Sequence, residues 1–378
     1  MTRPSSSAGA PVRVLVCSPS LDGCGGMSTA ANALLQTAAE HMPGYALEHV
    51  ATHSATGERT RASAVASIPL TLGAAWRIAT ARPDIVHLFV GPRGSLARKS
   101  LLASIARTRG CAVVAQPHSG DVDVALTGER VDGVSPERLE KLCRTANVLA
   151  LLRAVEIAPR FASAALCVVP NPVAVQDAPV TDERDIDVLY AGRLAHEKGV
   201  ELLADVVARL VEARPGIRIT IAGSAVGGTA ESALAAMSAY PQVNAVGWVD
   251  ESEVVALAKR ARVVVSPSAV DSLPMSVLTA GACGAWVVAT PVGEVPALLA
   301  DGRGSLVEAD ADAWLAEILR VLDRLEPHAV PGEGLRQVVC ERYAPPVVAG
   351  ALQAAYDIAV RQLAATRGAT GSVTGGES

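Results

Sequence analysis

The stretch DSLPMSVLTAGACG occupies residues 271–284, and AGRLAHEKGV occupies residues 191–200. Each is typical of a loop that ends a strand and opens a helix, where unpaired backbone N–H groups and the helix dipole favour phosphate. Arg193 can fork onto phosphate oxygens, Lys198 adds a compact charge, and Asp271 can accept from hydroxyls. The two stretches therefore predict one site that holds a sugar hydroxyl and a diphosphate together.

An ordinary solvated helix start also explains the Arg193 and Lys198 pair when it is taken alone. Lysine is nevertheless rare in this chain, since most of the 33 basic residues are arginines. The lysines are Lys99, Lys141, Lys198 and Lys259. A lysine at position 198 therefore favours a functional interpretation.

Length and composition limit the class of protein. A chain of 378 residues is typical of two domains, and 50% hydrophobic with 19% charged residues indicates substantial cores. The net charge of -5 argues against nucleic acid as a partner. The first residues lack the apolar stretch of a signal peptide, and no uninterrupted apolar run has the ~20 residues of a membrane span. We expect a cytoplasmic protein.

Short apolar runs alternate with helical patterns along the whole chain. Continuous apolar strands between helices predict parallel sheets that are covered on both faces. The fold class is therefore α/β, with two doubly wound domains. The predicted strands are residues 12–17, 84–90, 111–116 and 147–152 in the first half, and 187–191, 218–222, 243–246, 262–265 and 286–289 in the second.

The domain boundary is predicted near residues 168–187, where prolines, acids and turn formers accumulate. Ligands of doubly wound domains bind at the carboxyl ends of the strands, so we expect the site in the cleft between the two domains. The predicted segments are a disordered start at 1–11, an acceptor-side domain at 12–175, a nucleotide-sugar-binding domain at 176–345, a helix at 346–366 that crosses back to the first domain, and a disordered tail at 367–378.

The second half resembles the retaining GT-B glycosyltransferases of family 4, also called group 1. The resemblance rests on AGRL and EKG, the IAGS turn at residues 221–224, VGWV at 246–249, SPSAVDSLPMSVLTAGACG at 266–284 and WVVATPVGEVP at 286–296, in family order. It implies a GT-B fold of two facing Rossmann-like domains with an interdomain cleft. It implies as donor-binding residues Gly223, Val249, Ser272, Leu273, Pro274 and Thr279.

The first half resembles the family more loosely. It carries a glycine turn, DGCGG at residues 22–26, and a histidine loop, QPHSG at 116–120. In the family the glycine turn faces the donor diphosphate and the acceptor, and the histidine lies beside the anomeric centre. The resemblance thus implies Gly25 and Gly26 as binding residues and His118 as a catalytic residue beside Asp271, Arg193 and Lys198. A surface or core histidine remains the alternative for His118.

The resemblance implies a retaining transfer of a sugar from a nucleoside diphosphate sugar, with a UDP-sugar favoured, to an acceptor hydroxyl. Lipid-linked, natural-product and polysaccharide intermediates are all acceptors that it allows. No metal or other cofactor is expected, because Arg193 and Lys198 supply the positive charge. Two alternatives stay open: a degenerate sugar-nucleotide-binding subunit and a GT-B sugar-nucleotide epimerase.

One departure from the family pattern bears on those alternatives. The family has two glutamates separated by seven residues, whereas this chain has Asp271 and Thr279. Threonine offers a single hydroxyl where the family acid accepts from ribose hydroxyls. Thr279 therefore puts ribose recognition in question and is compatible with a divergent enzyme or with a degenerate one.

A basic helix is predicted by SLARKSLLASIARTRG at residues 95–110. No acid occurs between Asp84 and Asp121, and five basic residues lie in or beside the helix: Arg93, Arg98, Lys99, Arg107 and Arg109. A packed helix with a solvated basic face is one interpretation. The other is peripheral contact with an anionic membrane at its inner face, where such charges bind anionic lipid.

Overall fold

The protein is described here from a computed structural model that covers residues 10–23, 25–54, 61–174, 184–325 and 330–371. Its first sheet has six parallel strands in the order β2-β1-β3-β4-β5-β6. The strands are β1 (Val12–Ser18), β2 (Tyr45–Ala51), β3 (Ile85–Val90), β4 (Ala112–Pro117), β5 (Val148–Leu151) and β6 (Ala165–Val168). The helices of this half are α1 (Gly26–His41), α2 (Arg61–Ala81), α3 (Gly94–Thr108), α4 (Gly120–Leu126) and α5 (Pro136–Thr145).

The second sheet also has six parallel strands, in the order β12-β11-β10-β7-β8-β9. The strands are β7 (Ile186–Ala191), β8 (Ile219–Ala222), β9 (Val243–Gly247), β10 (Ala261–Ser266), β11 (Trp286–Ala289) and β12 (Ser305–Leu306). The helices are α6 (Val200–Ala213), α7 (Gly228–Ser238), α8 (Glu251–Arg260), α9 (Met275–Ala282), α10 (Val295–Leu299), α11 (Ala311–Arg324), α12 (Glu333–Tyr343) and α13 (Pro345–Gly371).

Each sheet is covered on both faces, as the continuous apolar runs predict. In the first half, Leu15 and Val86 belong to one core cluster and Val14 and Ile85 to another, so successive residues point to opposite sides. The second sheet divides in the same way between two further clusters. The prediction of two doubly wound α/β domains is confirmed.

All nine predicted strands are present, with ends that differ by at most one residue. Three strands were missed, namely β2, β6 and β12, and each lies at the edge of its sheet. An edge strand exposes part of its surface, so its sequence lacks a continuous apolar run; β2 reads YALEHVA and is only partly buried. Ser135 and Asp250 each cap the start of a helix with the side chain.

The last helix returns to the first half of the molecule. α13 packs on α1, β4, β5 and β6, and its Tyr356 hydroxyl lies 2.8 Å from Nδ1 of His87 on β3. The helix continues to Gly371, past the start of the predicted disordered tail at residue 367, whereas residues 372–378 lie outside the described residues, as do 1–9. Much of the predicted boundary near 168–187 also falls outside them.

The basic helix forms as α3, and its five basic residues differ in exposure: Arg93 and Arg109 are exposed, Arg98 and Arg107 are partly buried, and Lys99 is buried. Lys99 is 0% exposed, and Arg98 is half-buried with a guanidinium that donates to the Ser67 hydroxyl on α2 at 3.3 Å. Arg109 donates to the carbonyl oxygen of Ala79 at 2.7 Å, and Arg107 donates to Asn147 at 3.1 Å. α2 and α5 pack against α3, which buries Lys99, whereas Arg109 stays exposed while it bonds Ala79.

Candidate functional site

The turn that carries Lys198 lies very close to the backbone of the chain that follows β10. It begins after β7 as a 3₁₀ turn, His196–Lys198, and ends at Gly199 with φ +72. A Cβ on Gly199 would lie 1.9 Å from the carbonyl oxygen of Pro267, which follows β10. Only glycine fits this left-handed, crowded position. The glycine of EKG therefore fixes Lys198 beside the loop that carries Asp271.

Lys198 and Asp271 form an ion pair across that junction, and both side chains are partly buried. Nearby, the Arg193 guanidinium donates to Oε1 of Glu197 at 2.6 Å. The structure thus brings together the three charged residues that the sequence predicted for one site. Each cation already has a carboxylate partner, and a bound diphosphate would compete for it.

The loop after β10 is braced by its own backbone. Ser272 N donates to Oδ1 of Asp271 at 2.9 Å, and Glu294 N donates to the carbonyl oxygen of Ser272 at 2.9 Å. Gly293 has φ +55, and a Cβ there would lie 2.2 Å from that same carbonyl oxygen. The chain after β11 therefore holds Asp271 and Ser272 in place in front of α9.

The other predicted donor-binding residues lie at the same edge of the second sheet with different exposure. Gly223 follows β8, and a Cβ there would lie 1.8 Å from the carbonyl oxygen of Gly192. Val249 is partly buried against the core. Leu273 and Pro274 are buried, so they can offer a ligand backbone groups at most. Thr279 is 5% exposed within α9.

His118 directly follows β4 in the first half. Its ring stacks on Phe89 with 4.1 Å between centroids, and its Nε2 is buried without a partner among the described groups. Burial, assisted by the neighbouring His87, lowers the pKa of His118 to about 3, so the ring is neutral at physiological pH. Two residues on, a Cβ on Gly120 would lie 2.9 Å from the carbonyl oxygen of Asp271. The structure thus brings the histidine loop and the Asp271 loop together.

Gly25 and Gly26 lie where α1 begins, after the β1 strand end. A Cβ on either glycine would meet nothing within 4 Å. Among the described residues, nothing therefore crowds the backbone at the N-terminus of α1.

The sequence analysis missed a buried carboxylate between the two halves. Asp123 on α4 is 1% exposed, accepts a hydrogen bond from the Ser272 hydroxyl and lies 3.4 Å from Nε of Arg153. Burial raises the pKa of Asp123 to about 6, with Ser272 and Arg153 acting in the opposite direction. Asp123 belongs to an Asp-x-Asp triplet of a kind that chance also produces, and its position just after the histidine loop was the usable signal.

Comparison with known families identifies the second half. Residues 185–324 match the family model described as glycosyl transferases group 1. This part of the chain is a group 1 glycosyltransferase domain. It is 32% identical over 142 residues to the D-inositol 3-phosphate glycosyltransferase of Segniliparus rotundus, an alignment that covers 36% of this chain and 32% of that protein. The chain thus aligns with about a third of the length of this curated relative.

Solved structures extend the likeness to both halves. Sucrose-phosphate synthase from Thermosynechococcus elongatus superposes with a TM-score of 0.69 at 18% identity, covering 94% of this chain and 99% of that one. HepE from Anabaena, in complex with UDP and glucose, superposes with a TM-score of 0.62 at 14% identity, covering 90% and 98%. At such identity the likeness concerns the fold, and the group 1 domain and its partner domain together have the GT-B fold.

The chemistry available to the group 1 domain follows from its charges. Lys198 and Arg193 are cations at the carboxyl edge of a parallel sheet, where α9 also begins. Such a setting stabilises negative charge on a phosphate. Asp271 supplies an acceptor for a hydroxyl, and the neutral His118 ring supplies a polar nitrogen from the facing domain.

Proposed function

We propose that this protein transfers a sugar from a nucleoside diphosphate sugar to an acceptor hydroxyl, with retention at the anomeric carbon. The observation that carries the proposal is the meeting of Lys198, Arg193 and Asp271 at one edge of the group 1 domain, opposite the histidine loop of the other domain. Cations for a leaving diphosphate and an acceptor for a sugar hydroxyl then share one cleft.

The leaving group sets the demands on the site. As the glycosidic bond breaks, negative charge develops on the departing diphosphate, and preorganised cations stabilise it most in a closed, drier cleft. Arg193 and Lys198 take this role, which requires them to exchange Glu197 and Asp271 for phosphate oxygens. Asp271, released from Lys198, then accepts from a donor hydroxyl. The positive charge comes from side chains, and a metal ion is not required.

Retention is proposed from the resemblance together with the site. The leaving phosphate oxygen takes the acceptor proton on the same face of the sugar, while the acceptor oxygen bonds to the anomeric carbon. His118 lies at the end of β4 with a buried, unpartnered Nε2, placed to bond a donor hydroxyl near that carbon. UDP is the favoured nucleotide, by analogy with the UDP complex of HepE, whose fold the chain shares.

The deciding experiment is product analysis with purified protein. A thermal-shift screen of uridine, guanosine, adenosine and thymidine diphosphates first identifies the base. The matching nucleotide sugar is then incubated with and without hydroxyl acceptors, and the anomeric configuration of the product is read by NMR. A glycoside of unchanged configuration supports the proposal. A changed sugar nucleotide formed from donor alone would indicate an epimerase, and nucleotide binding without turnover would indicate a degenerate subunit.

We further propose that α2 mediates peripheral contact with a membrane at its cytoplasmic face. Four side chains on α2 lie on one side of the helix and are between 55% and 71% exposed: Val65, Ile68, Leu72 and Trp76. The stretch Ala64–Ala81 is long and apolar enough to cross a bilayer by length and composition, with 22% buried within the protein. An exposed apolar helix face of this kind is suited to lying in a lipid interface.

Vesicle binding tests this second proposal. Leu72→Ser and Trp76→Ser should each weaken binding to lipid vesicles, whereas Val360→Ser, which removes an exposed apolar group on α13 and outside the α2 face, should not. In parallel, sedimentation of each protein without lipid measures its oligomeric state. Equal vesicle binding by all variants would contradict the proposal, and a dimer that the α2 variants dissociate would assign this face to a second copy of the chain instead.

A further inference from the structure

A series of five ring side chains, here called the ring column, runs through the first domain and ends at His118. The distance between ring centroids is 5.5 Å for Tyr45 and Tyr356, 5.7 Å for Tyr356 and His87, 5.3 Å for His87 and Phe89, and 4.1 Å for Phe89 and His118. These separations are typical of interacting rings. Phenylalanine, tryptophan and tyrosine make up only 3% of the chain, so the column is not a by-product of an aromatic-rich core.

The ring column joins parts of the chain that are far apart in sequence. Tyr356 lies on α13, the helix that returns from the second half, whereas His87 and Phe89 are two residues apart on β3 and so point to the same face of the sheet. All three side chains are 0% exposed. At the outer end, the Tyr45 hydroxyl donates to the Asp357 carboxylate, also on α13. α13 is therefore connected to His118 through buried side chains.

Hydrogen bonds hold the middle of the ring column in one arrangement. Nε2 of Gln116 donates to the carbonyl oxygen of Val169 at 2.8 Å, so it is Oε1 of Gln116 that lies 3.0 Å from Nε2 of His87. An amide oxygen only accepts, and Nε2 of His87 therefore carries the proton. Burial lowers the pKa of His87 to about 4, so the ring is neutral and its Nδ1 accepts from the Tyr356 hydroxyl at 2.8 Å. Both ring nitrogens of His87 thus have a partner.

His118 is located by the same strand that carries His87. The backbone N of His118 donates to the carbonyl oxygen of Val90 on β3 at 2.8 Å. The His118 ring lies nearly parallel to Phe89, with 11° between the two planes. Gln116, which bonds His87, is two residues before His118 on β4. The backbone and the ring of His118 are therefore both placed relative to β3, whose buried histidine is bonded to α13.

The polar groups of the ring column have a use beyond filling space. An apolar side chain would fill the position of His87 without the cost of burying polar atoms, whereas a satisfied polar network specifies one arrangement of the core. Such precision matters at a reacting centre, where a shift of about 1 Å can cost roughly 10²-fold in rate. We infer that His87 and Tyr356 are positioning residues that hold His118 in the orientation that sugar transfer requires.

The inference deepens the proposed function and rests on it, because it takes His118 as the group that bonds the donor near the anomeric carbon. It makes α13, at the far end of the sequence, part of the machinery of the first domain. The nucleotide is proposed to bind the second domain. Changes in the ring column should therefore lower kcat and leave nucleotide affinity unchanged.

The first experiment needs no substrate. The protein is prepared with isotope-labelled histidine, and the signals of two of its seven histidines are assigned by comparison with His87→Gln and His118→Gln. His87 should show one tautomer with a slowly exchanging proton on Nε2. Tyr356→Phe, which keeps the ring and removes the hydroxyl, should shift the ring signals of His118. Unchanged His118 signals in this variant, or a wild-type His87 that carries its proton on Nδ1, would overturn the inference.

The matched control removes a hydroxyl from a buried tyrosine outside the ring column. Tyr343 on α12 is 4% exposed and belongs to a core cluster of the second half. Tyr343→Phe should leave the ring signals of His118 and the rate of sugar transfer at their wild-type values. Equal shifts of the His118 signals in Tyr343→Phe and Tyr356→Phe would show a general response to lost hydroxyls and would also overturn the inference.

The second experiment measures sugar transfer with the donor and acceptor that product analysis establishes. Tyr356→Phe should lower kcat by roughly two- to tenfold, as for the loss of one hydrogen bond, and Tyr356→Leu, which removes the ring as well, should lower it further. The KM for the donor and the affinity for UDP should stay unchanged. Assays are run well below the unfolding midpoint of every variant, so that lost stability does not lower the measured rate.

The two experiments separate this inference from the proposed function. If both Tyr356 variants transfer sugar at the wild-type rate, the proposed function stands and the ring column serves core packing alone. If Tyr356→Phe shifts the His118 signals but the wild-type protein transfers no sugar, the coupling of α13 to His118 stands and the proposed function fails.

Discussion

The Ser272 hydroxyl of the second half donates to the Asp123 carboxylate of the first half, in a contact that is buried on both sides. The second carboxylate oxygen of Asp123 is also buried and has no partner among the described groups. Arg153 lies 3.4 Å away, but its Nε is itself unsatisfied. The two domains therefore meet at an acid whose ionised form is poorly compensated.

This contact predicts a pH effect of definite sign. The pKa of Asp123 rises from 3.8 to about 6 on folding, so between those values the folded protein binds more protons than the unfolded chain. The stability that protonated Asp123 contributes to the folded protein is fully present at low pH and is lost as pH rises through 6. Asp123→Asn, which keeps an oxygen to accept from Ser272, should be more stable than wild type at pH 7 by at most about 3 kcal/mol, with the difference vanishing near pH 4. Thermal unfolding of wild type and Asp123→Asn across this pH range measures the difference in stability. A difference that stays the same at every pH would contradict the prediction.

Arg193 and Lys198, the two cations proposed to hold the leaving diphosphate and here called the phosphate clamp, give a second prediction. Arg193→Ala and Lys198→Ala should each lower turnover by roughly 10²–10³, as for the loss of one preorganised group at a developing charge. Folding should change little, because both cations lie in loops at the edge of the sheet and neither belongs to a core cluster. Lys141→Ala removes the same charge far from the cleft and is the control. Near-wild-type turnover in both clamp variants would remove the leaving-group assignment.

Lys198→Ala also leaves Asp271 without its ion-pair partner, so its effect mixes two causes. Asp271→Asn and the double variant separate them, since interacting residues give non-additive losses. Additive losses would place Lys198 and Asp271 on different parts of the donor.

Chelation provides a third prediction. If side-chain cations carry the leaving-group charge, activity should persist in EDTA and should not increase when Mg²⁺ or Mn²⁺ is restored. Initial rates before and after exhaustive dialysis against chelator measure this. Activity that vanishes with EDTA and returns with either metal would show that the charge source has been misassigned.

Much of this arrangement could be predicted from the sequence because short motifs specify it locally. The EKG and DSLP stretches place Lys198 and Asp271 at strand ends, and parallel strands bring those ends to one edge. The Asp123 contact could not be predicted, because it depends on how two domains face each other and not on any local pattern. Lys99 was misjudged for a related reason: a basic helix looks solvated until α2 and α5 are packed against it.

The fourth prediction concerns the glycine that holds the Lys198 turn. Gly199→Ala would force a Cβ to within 1.9 Å of the Pro267 carbonyl oxygen and would strain a residue at φ +72. We expect a loss of several kcal/mol in stability, or a displaced turn with turnover reduced as in Lys198→Ala. Gly350→Ala is the matched control, because its Cβ would meet nothing within 4 Å on α13 and should stabilise the helix by about 0.5–1 kcal/mol. Denaturant unfolding and turnover are measured for both variants. Equal stability and equal turnover in Gly199→Ala and Gly350→Ala would contradict the prediction.

The last prediction addresses Thr279, because it separates a divergent enzyme from a degenerate subunit. If α9 keeps the family geometry, position 279 faces the ribose, and its hydroxyl makes one neutral hydrogen bond where a carboxylate would make two charge-assisted ones. Thr279→Glu should then tighten nucleotide diphosphate binding by roughly five- to thirtyfold, and Thr279→Val should weaken it modestly.

Burial of position 279 adds a stability cost to Thr279→Glu. Since Thr279 is 5% exposed, a glutamate there is buried in the absence of nucleotide and should lower the thermal midpoint of the free protein, while nucleotide should restore more stability to Thr279→Glu than to wild type. Calorimetry and thermal unfolding of the three proteins measure both effects. If neither substitution alters nucleotide affinity, Thr279 does not contact the ribose and the register assigned to α9 is mistaken. If wild type binds no nucleotide and Thr279→Glu gains binding, the missing acid itself accounts for the loss, and a degenerate subunit replaces the enzyme as the function.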